Sequence, residues 1–123
     1  MKKESSILWL DTPADHDYPA AWSYLSLIYS ESLVNEMVKN LRSASKTEFK
    51  AKDIFRASWL SLLGISNSHV KKDKEKIKDG VALDPLLLVR DTTNGKVVIA
   101  DGYHRLCAVY QFDEDALIPC KIV

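Results

Sequence analysis

A chain of 123 residues that is 46% hydrophobic and 28% charged has room for one globular domain, or one small domain with an extension. Its 17 lysines and arginines balance 17 aspartates and glutamates, which argues against a sequence-independent nucleic-acid binder, since such proteins carry a basic excess. No apolar run is long enough to span a membrane, and the apolar stretch 7–10 is too short for a signal-peptide core behind the basic start. A cytoplasmic protein with no membrane partner is expected.

Residues 7–10 are expected to form a short strand or an anchoring segment, and Asp11-Thr-Pro-Ala-Asp-His-Asp17 is turn chemistry. From Tyr18 the pattern is helical, with Pro19 tolerated in the first turn and Trp22, Leu25, Ile28 and Tyr29 on one face. Ser30 or Ser32 can cap a second helix, in which Leu33, Val34, Met37, Val38 and Leu41 recur at helical spacing. The stretch 48–56 begins with strand-like alternation, while a helix over 52–63 fits nearly as well. A loop at 64–68 precedes a charged helix from His69, which Gly80 stops and in which only Val70 and Ile77 are apolar. A strand at 86–90, the hairpin signal Asn94-Gly95, a strand at 96–100, a helix from Gly102 to about Phe112 and a strand at 118–123 complete the chain. This order predicts an α+β (mixed α/β) fold, in which a helical extension at 1–45 packs on a core at 46–123.

Most residues with chemical potential have a structural reading. Cys107 and Cys120 lie in apolar segments and are expected to be buried free thiols. His16 and His69 have no partner at metal-ligand spacing, so no metal site is expected from them. Trp9, Trp22 and Trp59 are expected in the core, and Asp11, Asp15 and Asp17 in a surface loop.

The exception is Ile99-Ala-Asp-Gly-Tyr-His-Arg-Leu-Cys-Ala108. A strand runs into a tight turn and a helix start, where the first amides lack internal partners and the helix dipole is positive. Gly102 is expected to let the backbone approach a ligand, and His104 and Arg105 add donors, which together make an anion site suited to phosphate. Asp101 is expected to cap the helix; as a carboxylate beside phosphate it would instead hold Mg²⁺ or accept a proton.

From Phe49 onward this arrangement resembles the ParB/sulfiredoxin superfamily, in which a hairpin strand feeds a Gly-x-x-Arg turn and a last strand carries a Pro. Gly102, His104, Arg105 and Ala108 match the Gly-Cys-His-Arg and following Ala of sulfiredoxins; Gly102, Arg105 and Ala108 match the Gly-Glu-Arg-Arg-x-Arg-Ala of ParB proteins; Pro119 lies in the last strand. The resemblance implies a small sheet with helices and a site for the phosphates of ATP, ADP or CTP, with Mg²⁺. Gly102, Tyr103, His104 and Arg105 would form the phosphate turn, with Arg105 as the clamp and His104 as second donor or proton carrier. Arg56, Lys72 and Lys76 would close over the phosphates. Two departures bear on activity. Tyr103 replaces the sulfiredoxin nucleophile, which argues against sulfinic acid reduction, and the chain ends where ParB continues into a helix-turn-helix domain, which argues against centromere binding. The expected function is nucleotide binding with phosphoryl transfer to a small-molecule acceptor or nucleotide hydrolysis. The alternatives are a non-catalytic regulatory module with a protein partner and, third, a nuclease.

Overall fold

A computed structural model describes residues 6–64 and 66–123; the basic start and Ile65, in the expected loop, lie outside the described residues. The elements are α1 (Asp17–Leu25), α2 (Glu31–Ser43), β1 (Thr47–Lys50), α3 (Ala51–Ser58), α4 (Ser68–Lys78), β2 (Leu86–Asp91), β3 (Lys96–Asp101), α5 (Tyr103–Phe112) and β4 (Leu117–Ile122). The fold is α+β, and the strands form one mixed sheet in the order β1-β4-β2-β3. β2 pairs antiparallel with β3 and parallel with β4, and β4 pairs antiparallel with β1. Among the described residues, no helix is long and apolar enough to cross a membrane.

β2 is buried on both faces, which is why Leu86 to Val89 is a continuous apolar run rather than an alternating one. Successive side chains leave a strand on opposite faces. Leu86 and Leu88 therefore join Ile54, Leu106 and Ile118 in a core with α3, α4 and α5, while Leu87 and Val89 join Val98, Ala100, Leu25, Val34 and Leu41 in a second core under α1 and α2. The helical pair thus covers one face of the sheet, and α3–α5 the other. Trp9 bridges Leu83 in a short parallel pairing, with Leu10 N–H donating to the Leu83 carbonyl at 2.8 Å, so 7–10 anchors beside the segment that leads into β2.

Several expectations need correction. The first helix stops at Leu25, before Ile28 and Tyr29, and Ile28 is exposed; Tyr18, Ala21 and Leu25 form its buried face instead. The two readings of 48–56 are both present in succession, as β1 and then α3, and that helix ends at Ser58 rather than reaching 63. Trp59, at φ +62°, breaks it, and the residue is 65% exposed rather than in the core, with Lys96 Nζ 5.6 Å from the ring centre. Asp17 lies not at the surface but almost wholly buried at the first position of α1. Cys107 and Cys120 are buried free thiols, and burial pushes the Cys120 thiol up to about 12.

Candidate functional site

Antiparallel pairing of β2 and β3 sets the start of one strand beside the end of the other, and Leu87 pairs with Asp101. The turn into α5 therefore sits next to the Asp84-Pro85 entry to β2. α1 packs against β3, and α4 against α5. Three separate stretches of sequence thus meet where β3 becomes α5.

A groove of about 250 Å³ opens there between α4 and the first turn of α5. From the turn it is lined by Asp101, Gly102, Tyr103, His104 and Arg105, and from α4 by His69, Lys72, Asp73 and Lys76. The fold brings together all of the sequence-selected residues except Arg56. Arg56 is exposed on α3, ion-paired to Asp53 at 2.8 Å, and lines a separate groove with Phe55, Trp59 and Tyr110. His69 and Asp73 were not selected from sequence. Their signal was the spacing His69, Lys72, Asp73, Lys76, which places all four along one side of a two-to-three-turn helix.

The turn is built differently from its sequence expectation. Asp101 does not cap α5; it ends β3, and its carboxylate accepts from Arg105 Nη2 at 2.9 Å. Gly102 occupies the cap position at φ +112°, and the helix has no side-chain cap, so its first amides remain open to another acceptor. Nor does the glycine leave space for a ligand. A Cβ there would stand 2.7 Å from Leu86 Cγ and 2.8 Å from Arg105 Nη2, so the missing side chain is what seats Arg105 across the turn.

The charged groups shape one another. Burial, with His69 and Arg105 adding to it, holds the His104 imidazole below its ordinary value, and its ring lies 4.9 Å from that of His69. Burial pushes the Asp73 carboxyl up, while Arg105, Lys76, His104 and His69 oppose the shift. Tyr103 Oη donates to the Ser61 carbonyl, and Gln111 Nε2 donates to the Leu63 carbonyl at 2.6 Å, so α5 holds the segment after α3 from two points.

On the side of the turn nearest α1, His16 Nε2 lies 3.4 Å from Asp17 Oδ1 and 4.0 Å from Asp84 Oδ2. Asp17 Oδ2 accepts from Ala14 N–H at 2.9 Å. Burial first, then a hydrogen bond with Asp84 and the charge of Asp101, pushes the Asp17 carboxyl up to about 7. Sequence reading missed this cluster because its members come from the start of α1 and the entry to β2, far apart along the chain. Comparison of the chain with protein-family models, with curated proteins and with solved structures finds no match in any of the three.

Proposed function

We propose that this is a nucleotide-binding protein of ParB/sulfiredoxin-like fold that holds the phosphates of ATP, ADP or CTP, with Mg²⁺, at the first turn of α5. One observation carries the reading: Lys72, Lys76, His104 and Arg105 converge on an uncapped helix N-terminus in one groove. Amides, dipole and cations there all favour the same kind of ligand. At about 250 Å³ the groove falls below the roughly 300–1,000 Å³ of pockets that enclose a whole small molecule, which suits phosphates with the base outside. Arg105 is the clamp. Its side chain is 16% exposed in the groove while Nη2 pairs with Asp101, and the guanidinium carries further N–H donors beyond that pair. A neutral His104 supplies one donor and one acceptor at neutral pH. Phosphoryl transfer to a small acceptor, or hydrolysis, then proceeds by positioning and charge stabilisation, with Asp101 and Asp73 as the adjacent carboxylates.

A specific observation favours a second reading, the non-catalytic regulatory module: Asp101, the carboxylate placed to accept a proton, is already engaged by Arg105. The balanced charge argues against the nuclease. The test is a thermal-shift series with ATP, ADP and CTP plus Mg²⁺ on wild type and Arg105→Ala. A ligand at a hundred times its Kd adds about 2.7 kcal/mol. A shift in wild type that disappears in the variant supports the phosphate site; no shift with any nucleotide removes it. Released phosphate, or a phosphorylated product, then separates the enzyme from the module.

A further inference from the structure

We propose that His16, Asp17 and Asp84 bind a divalent metal ion of the Mn²⁺ class, on the opposite side of the Asp101–Arg105 pair from the lysines of α4. Their ligand atoms all lie within 4.8 Å of one another, the span of donors around a single ion. The charge around them is unbalanced. Asp17 has a side chain only 3% exposed, and Asp84 one 18% exposed. Among the described residues no lysine or arginine lies within ion-pair distance of either; Arg105, whose charge acts on Asp17 from further away, is paired with Asp101. Asp17 Oδ2 has its backbone donor, and Oδ1 lies 3.4 Å from His16 Nε2, with the Asp84 carboxyl as a further neighbour of the group. A buried oxygen aimed at a second carboxylate requires a proton or a cation between them. The third ligand fits the cation. His16 makes no capping bond to α1, and its Nε2 lies 3.4 Å from Asp17 Oδ1 and 4.0 Å from Asp84 Oδ2. Imidazole with two carboxylates is a donor set for a first-row divalent ion rather than for Ca²⁺. With His16 83% exposed, the outer coordination positions open to solvent or to an oxygen of a bound ligand.

The ion's existence is independent of the nucleotide reading; only a role for it beside bound phosphate rests on that reading. The test therefore uses Mn²⁺ alone, titrated into the full chain without nucleotide and followed by electron paramagnetic resonance. Wild type is expected to take up one Mn²⁺ saturably, with nitrogen coupling from the imidazole. His16→Gln is expected to remove that coupling, and Asp84→Asn to weaken binding by roughly tenfold or more. Asp17→Asn, which removes a buried charge and so keeps the fold, is expected to weaken it likewise. Absence of saturable binding, nitrogen coupling that survives in His16→Gln, or unchanged affinity in folded Asp84→Asn and Asp17→Asn would each overturn the site. Arg105→Ala serves as the separate arm: loss of nucleotide binding with Mn²⁺ uptake retained keeps the metal site distinct from the phosphate site.

Discussion

Replacing Gly102 by alanine probes the joint on which the site depends. The backbone there sits at φ +112°, a left-handed conformation that costs an L-residue about 1–2 kcal/mol. The added Cβ would meet Leu86 Cγ at 2.7 Å and Arg105 Nη2 at 2.8 Å. Leu86 is fully buried in the central strand and has nowhere to go; overpacking of this kind costs about 1–3 kcal/mol. Together the two effects destabilise by about 2–5 kcal/mol, a large part of an ordinary domain's stability. For a chain of this size that lowers the melting temperature by roughly 8–20 °C. Gly80→Ala is the control, because Gly80 also has a positive φ, +71°, but nothing lies within 4 Å of its added Cβ. It should lose the backbone contribution of about 1–2 kcal/mol and no more. Urea unfolding of both variants measures the difference. If they lose the same stability to within about 0.5 kcal/mol, the close approach of Leu86 and Arg105 to this glycine is not what selects it, and the account of how Arg105 is seated fails.

Three further outcomes follow from the packing and the charges. Leu41→Ala, which empties a fully buried position under the helical pair, should cost about 2–4 kcal/mol and lower a single cooperative transition; separate melting of α1–α2 and the sheet would contradict the shared core. His104 should titrate below 6.5 by NMR. Because the folded protein then binds fewer protons than the unfolded chain, this group's contribution is intact above pH 6.5 and declines as the pH falls through it, so the wild-type minus His104→Gln stability difference should shrink on acidification; a midpoint at or above 6.5 would contradict this. Cys107 and Cys120 should resist a water-soluble disulfide reagent in the native state and react together once urea unfolds the chain, whereas rapid native labelling would contradict their burial.

What was legible in the sequence is what is encoded locally. The Asn94-Gly95 turn, the apolar run of β2 and the periodicity of α2 each specify themselves within a few residues, and each element forms where its pattern lies. The groove was legible in part for the same reason, since Lys72 and Lys76 share a helix with the residues beside them and Gly102 to Arg105 are contiguous. Element ends were not. Nothing local distinguishes Leu25 from Ile28 as the last buried residue of α1, because the choice depends on which of them reaches β3. The end of α3 at Ser58 depends likewise on Ser58 Oγ donating to the Phe55 carbonyl and on Trp59 turning into the left-handed region.

The acidic cluster shows why the remainder was out of reach. Read along the chain, His16 and Asp17 sit in a polar turn, and Asp84 precedes a proline, where aspartate is an unremarked choice. Their meaning comes from topology. α1 lies on β3, β3 runs antiparallel to β2, and the start of α1 therefore meets the entry to β2 at the end of β3 that carries Asp101. Three carboxylates then share one corner with one arginine, and the arginine is bound to Asp101. A chain under pressure for stability alone would replace Asp17 with a neutral residue, because a buried carboxyl whose one basic neighbour is the exposed His16 imidazole opposes folding at neutral pH. Asp17 keeps one structural role, accepting from Ala14 N–H in the first turn of α1, and the cation proposed above would account for its contact with His16 and Asp84.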